Sequence, residues 1–186
     1  MDAPAAAEAV LRTARLHLEP LRAAHAAELF AVLSDQRLYR WIPQDPPASL
    51  DALARRYGML EGRLSPEGDE VWLNWVLRLV PGGACVGTVQ VTVRADRSAY
   101  LAYELSVDAW GRGYASEACA TVLQLLATTF GVGRVEAEVD TRNSASICLL
   151  ERLGFSRAGL KHDAAFFKGA ASDEYLYELS LGGGSL

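Results

Sequence analysis

The residues best placed to do chemistry are Gly111, Arg112 and Gly113, with small Ala115 and Ser116 behind them and helix-period apolar positions Ala118, Val122, Leu125 and Leu126 next. A compact turn feeding directly into a helix predicts an anion site. The first amides of a helix have no internal partner, the helix dipole is positive at that end, and glycine lets a bulky phosphate approach the backbone. Arg112 adds a full positive charge. A glycine turn before an ordinary helix would look the same, so the weight of this reading falls on the elements around it.

Ahead of the turn, Arg15 to Pro20 alternates polar and apolar residues until a proline stops it, which predicts a first strand. Ala23 to Leu33 is an amphipathic helix by spacing, and Ser49, with Asp51 just after, can cap a second helix through about Leu64. Between them Leu38 to Pro47 sets Tyr39, Trp41 and Ile42 beside Pro43, Pro46 and Pro47, a stiff loop suited to plugging a core edge or walling a pocket. Val71–Val80, Cys85–Arg94 and Ala99–Val107 then read as strands, joined by turns at Pro81-Gly82-Gly83 and Ala95–Ser98. An antiparallel meander thus delivers the chain to the glycine turn.

Beyond it, Gly131 and Gly133 end the long helix, and Arg134 to Asp140 alternates as a strand. Thr141-Arg142-Asn143-Ser144 starts a helix carrying Ile147, Leu150 and Leu153. Strand signals at Ser156–His162 and Glu174–Leu181 flank a loop from Asp163 to Asp173. Residues 1–11 read as a tail or short helical arm, and 182–186 as a flexible tail. With no repeat and no linker, residues 1–186 are expected to form one domain.

The bulk numbers narrow the function classes. In 186 residues, 51% hydrophobic and 22% charged, there is material for a sizeable core. A net charge of -5 argues against binding nucleic acid or an anionic membrane through bulk charge. Cys85, Cys119 and Cys148 are widely separated, so neither a metal site nor a disulfide framework is expected, and a reducing cytoplasm is. No basic region followed by an apolar run opens the chain, and no stretch is apolar enough to span a bilayer.

With both segments placed, Trp110-Gly111-Arg112-Gly113-Tyr114-Ala115 and Asn143-Ser144-Ala145-Ser146 through Leu153-Gly154-Phe155, the chain resembles the GCN5-related N-acetyltransferases (GNAT). Within them it is most similar to the branch that acetylates ribosomal-protein N-termini and to its small-molecule-modifying relatives. The first segment is similar to the family's acetyl-coenzyme A motif, the second to its Asn-x-x-Ser-x-x-Leu and Leu-Gly-Phe signature. The resemblance covers almost the whole chain and is weakest from Leu38 to Asp69. It implies an α/β fold, a mixed and mainly antiparallel V-splayed sheet of about seven strands flanked by helices.

The resemblance also implies roles. Backbone amides of Arg112, Gly113, Tyr114, Ala115 and Ser116 would receive the pyrophosphate of acetyl-coenzyme A, the co-substrate. Free backbone groups of Leu105, Ser106 and Val107 would pair with the pantetheine arm like an added strand, an amide from Val107 or nearby polarising the thioester. Asn143 would bond the pantetheine amide and Ser146 come near the sulfur, although both residues commonly cap helices for local reasons. Glu104 is the leading candidate base, with Glu138 and Tyr103 behind it. Two positions depart from the pattern. Trp110 replaces a Gln or Arg, and Leu150 stands where many members carry a tyrosine that protonates the departing thiolate.

The expected reaction is direct acetyl transfer to a primary amine, on a peptide N-terminus or a small molecule, with no metal. Look-alikes are commonly homodimers. A coenzyme-binding sensor on the same fold is the alternative, given weight by the missing tyrosine.

Overall fold

Alternation along the strands decides which helices cover which face of the sheet. The computed structural model describes residues 3–182. The strands are β1 (Leu11–Arg12), β2 (Leu16–Pro20), β3 (Glu70–Leu79), β4 (Cys85–Arg94), β5 (Ser98–Leu105), β6 (Arg134–Asp140), β7 (Ser156–Phe167) and β8 (Ala170–Ser180). They form one sheet in the order β1-β2-β3-β4-β5-β6-β8-β7. Only β5 and β6 run parallel; every other neighbouring pair is antiparallel. The helices are α1 (Ala3–Ala7), α2 (Ala26–Leu33), α3 (Leu50–Leu60), α4 (Tyr114–Leu125) and α5 (Ser144–Arg152).

One face carries Leu73, Trp75 and Leu77 of β3, Val89 and Val91 of β4 and Leu101 and Leu105 of β5, packed on Ala118, Cys119 and Val122 of α4 and Leu150 of α5. The opposite face presents Val76 to Leu29 and Leu33 of α2 and to Leu53 and Tyr57 of α3. Period-2 strands thus feed two apolar layers from one sheet. Ser49 caps α3 by accepting from the Ala52 amide at 3.1 Å. A π-helical turn, Leu126–Phe130, continues α4 until Gly131 takes the left-handed conformation at φ 61°.

The pair that matters for function is β5 and β6. Their register holds only from Ser98↔Arg134 to Tyr100↔Glu136, after which the strands part. That is the expected splay.

Several boundaries differ from the sequence reading. There are eight strands among the described residues rather than about seven, the extra one being two-residue β1 against β2. Residues 3–11, read as a tail or arm, form α1 and the start of β1, with Ala6 and Ala7 buried. Of the two expected tails, residues 1–2 and 183–186 lie outside the described residues. Helix α3 stops at Leu60 rather than Leu64, because Arg63 turns to φ 61° and sends its guanidinium inward to the Leu21 carbonyl at 2.9 Å and Glu8 at 3.0 Å. The expected loop 163–173 is mostly absorbed into β7 and β8. Lys168 at the hairpin tip donates to the Tyr39 and Ile42 carbonyls, which fastens the tip to a 3-10 segment, Gln36–Trp41.

Gly87 fixes how closely β4 and β5 approach beside the splay. A Cβ there would sit 2.1 Å from the Glu104 carbonyl oxygen and 2.8 Å from the Leu105 Cα, both backbone atoms. Gly87→Ala is therefore expected to destabilise by about 2 kcal/mol or more, as forced overpacking does. Thermal unfolding should show a midpoint lower by roughly 4–8 °C for a chain of this size. An unchanged midpoint would show that the strands can separate there without loss.

Candidate active site

The turn before α4 is built to leave its amides unused. Gly113, at φ 80°, is the N-cap residue of α4 and offers no side chain to the helix start. Among the described residues no protein acceptor lies within bonding distance of the amides of Arg112, Gly113, Tyr114, Ala115 or Ser116; the first bond of the helix runs from the Glu117 amide to the Gly113 carbonyl. The other side of the turn is held by Arg15. Its guanidinium donates to the Arg112 carbonyl at 2.9 Å, pairs with Glu117 at 2.6 Å and stacks over the Tyr114 ring at 4.7 Å. Glu117 also accepts from Thr13 and from the Arg15 amide. With the carbonyl side clamped, donors and the helix dipole face outward. The Arg112 side chain is exposed and has no partner among the described residues.

The edge of β5 is less open than its sequence suggests. The strand ends at Leu105, and Val107–Ala109 is a 3-10 turn, so Ser106 and Val107 lie beyond the strand. Ser106 donates its amide to the Val86 carbonyl at 2.7 Å. Trp110 donates its indole N–H to the Leu105 carbonyl at 2.8 Å. Ser106 N–H and Leu105 C=O are therefore occupied, a correction to the expectation that all three residues offer free groups. What remains follows from strand alternation. Because Ser106 bonds β4, the Leu105 amide and both groups of Tyr103 face the gap left by β6. The Val107 amide has no protein partner among the described residues either.

On the opposite face a cavity of about 160 Å³ opens beside the same strand. Glu104 of β5 and Gln90 of β4 line it from the sheet, Arg56 and Tyr57 among others from α3, and Tyr39, Gln44, Asp45 and Pro47 from the segment between α2 and α3. Most of the lining comes from the segment Leu38 to Asp69, where the resemblance read from the sequence is weakest. Glu104 is half-buried there and accepts no hydrogen bond from the described residues. Burial raises its pKa above the usual carboxylate range, and the Arg56 guanidinium only partly opposes this. The Tyr57 hydroxyl is buried and unpartnered.

The chain is similar to known proteins. The profile of the acetyltransferase (GNAT) domain matches residues 15–156. The chain belongs to the GNAT acetyltransferase family. The uncharacterized N-acetyltransferase YoaA of Bacillus subtilis is 23% identical over 172 residues, 91% of this chain and 96% of that protein. The uncharacterized N-acetyltransferase p20 of Bacillus licheniformis is 37% identical over 81 residues, 44% of this chain and 46% of that protein, so this match spans about half the length of each. Among solved structures, RimJ of Mycobacterium smegmatis in complex with CoA-disulfide superposes with a TM-score of 0.77 at 24% identity, covering 89% of this chain and 82% of that one. That likeness is one of fold.

The second GNAT segment sits on α5. Asn143 accepts the Ser146 amide with its side-chain oxygen at 3.2 Å, a local helix cap that leaves its side-chain NH2 group uncommitted. The Ser146 carbonyl accepts from the Tyr103 hydroxyl at 3.5 Å, and the Ser146 side chain lies against the same phenol. Burial holds the Tyr103 phenol neutral, so it donates and is poorly suited as a base. Glu138 is exposed on β6 and does not line the cavity. Leu150, at the tyrosine position, is 1% exposed and belongs to the core.

Sequence reasoning missed Arg15, Glu117, Gly87, Arg56 and Tyr57. The first two are a hundred residues apart in sequence, and only folding joins them. Arg56 and Tyr57 had a readable signal, consecutive polar residues on a capped helix whose one face is apolar.

The raised pKa of Glu104 has a stability consequence with a definite sign. An acid whose folded pKa lies above its ordinary value of 4.5 favours the folded state fully below that value and loses the contribution as pH rises through the folded pKa. Glu104→Gln is therefore expected to raise the thermal midpoint at pH 8 relative to the parent, the gap closing below about pH 4.5. A gap that stayed constant with pH would mean that the carboxylate is not penalised by burial.

Proposed function

We propose that the chain transfers the acetyl group of acetyl-coenzyme A directly to a primary amine, with the coenzyme in the β5–β6 splay and the amine in the cavity over Glu104. The observation that carries this reading is the run of five unpartnered amides, Arg112 to Ser116, at the positive end of α4. Linked phosphates suit that cradle in charge and in donor number. Bound there, the coenzyme supplies an acetyl group activated as a thioester.

The chain's own groups do the rest. The Leu105 amide and the Tyr103 backbone pair with the pantetheine amides across the gap, and the free side-chain NH2 of Asn143 adds a donor from α5. The Val107 amide polarises the thioester carbonyl. Glu104, with its pKa raised, takes a proton from the incoming amine. Amine nitrogen bonds the carbonyl carbon, the carbon–sulfur bond breaks, and the thiolate takes a proton from the nearby Ser146 hydroxyl, which water re-protonates. Glu104 returns its proton to solvent, so the products are an amide and a free thiol.

Direct transfer is favoured over a cysteine relay by the state of the thiols. Burial and a bond to Glu28 push the Cys85 thiol up to about 12, and burial alone puts Cys119 at about 12. Cys148 lies on the exposed side of α5. The apolar Leu150 favours a second reading, a coenzyme-binding sensor without turnover.

Calorimetry and a thiol-release assay test these assignments. Gly113→Val forces a β-branched residue to φ 80° and blocks the cradle, so coenzyme A affinity should fall at least about tenfold. Unchanged affinity would remove the phosphate assignment. Glu104→Gln should leave that affinity intact while lowering kcat by about a hundredfold or more, the usual worth of a positioned base. Coenzyme binding with no thiol release for any amine would favour the sensor.

A further inference from the structure

The acetyl-transfer reading leaves the acceptor open, and the cavity narrows it. Three residues that line that space carry a polar group without a protein partner among the described residues: Glu104, Arg56 and Tyr57, the Tyr57 hydroxyl itself closed off from solvent. Tyr57 is 4% exposed, yet its hydroxyl bonds nothing. A buried hydroxyl left unpaired gives up its bonds to water without replacement, so a partner from outside the chain is the economical explanation. No ion pair joins Glu104 to Arg56, yet both line the cavity and the Arg56 charge acts on Glu104, Tyr39 and Tyr57 alike. Asp45 also lines the rim but is exposed and acts on none of these groups.

Resting on the transferase reading, we propose that the acceptor is a free amino acid or a similarly small amine bearing a carboxylate. Its amine lies against Glu104, and its carboxylate meets the Arg56 guanidinium and the Tyr57 hydroxyl. The two poles of such a molecule match the two separated charges, which satisfies groups that the protein leaves unmatched. Size agrees. A cavity of about 160 Å³ has room for a compact amino acid. A peptide N-terminus presents a neutral peptide group where the cavity presents Arg56, and a diamine presents a second cation there. Transfer then proceeds as above: nitrogen–carbon bond made, carbon–sulfur bond broken, the amine proton passed to Glu104.

The experiment is thiol release from acetyl-coenzyme A with the protein amino acids one by one, their α-amides, putrescine and an alanine tripeptide. The expected result is a preference of about tenfold to a hundredfold in kcat/KM for at least one amino acid over its amide, the worth of one charge-assisted contact. Arg56→Gln should raise KM for that amino acid, erase the preference over the amide and leave coenzyme A affinity unchanged; Arg56→Lys should restore part of it. Arg55→Gln, the same charge change outside the cavity lining, should behave as the parent. Preference for putrescine, the tripeptide or the amides would overturn the acceptor assignment while keeping the transferase. Absence of thiol release with every amine would overturn the transferase reading. Calorimetry of the best-matched amino acids on coenzyme-loaded protein then decides the acceptor separately, since no binding, or binding indifferent to Arg56→Gln, would overturn it too.

Discussion

The molecule depends on a sheet that stops being a sheet. Two parallel strands, β5 and β6, hold register for three residue pairs and then separate, although each keeps its other neighbour to the end. Unpaired backbone donors and acceptors inside a protein demand partners, so a break in a ladder is stable only where something else can bond the exposed edge. Part of that demand is met internally. The Ser106 amide returns to β4, and the Trp110 indole takes the Leu105 carbonyl. What stays open is a short run of backbone, bounded by those two contacts and by the free amides at the start of α4. Its length and composition suit an extended, amide-bearing chain that ends in phosphates.

In the proposed reading one strand serves both substrates because its residues alternate. Leu105 points to the layer of α4 and α5, and Glu104, one position earlier, to the layer of α2 and α3. The coenzyme edge and the acceptor cavity are therefore neighbours through a single backbone step. Gly87 makes that step possible, because a Cβ there would sit 2.1 Å from the Glu104 carbonyl oxygen. The glycine sits outside every recognised motif segment, yet it sets the position of the residue proposed as the base.

Legibility followed locality. The glycine turn, the α4 core stripe and the Asn143 cap are encoded within a few residues, and their placement was readable from spacing alone. Non-local contacts were not. Nothing near Arg15 says that it will grip the Arg112 carbonyl, since that contact closes a loop of almost a hundred residues. Likewise the strand reading of Ala99–Val107 ran two residues too far, because Ser106 and Val107 are fit for a strand and only the Val86 and Trp110 contacts turn the chain there. The loop read between Asp163 and Asp173 differs for a related reason: its paired alanines and phenylalanines lack the alternation that marks half-buried strands, and the pairing of β7 with β8 is what orders them.

The charges around the cavity oppose one another. Burial favours the protonated form of Glu104, and the Arg56 guanidinium favours the ionised one. With no ion pair between them burial weighs more, so the pKa of the carboxyl is raised. A ligand carboxylate on Arg56 would cancel that cation and raise the affinity of Glu104 for a proton further. Acceptor recognition and base strength are then coupled through one guanidinium, because the amine that brings the matching anion is also the one that strengthens the group waiting to deprotonate it.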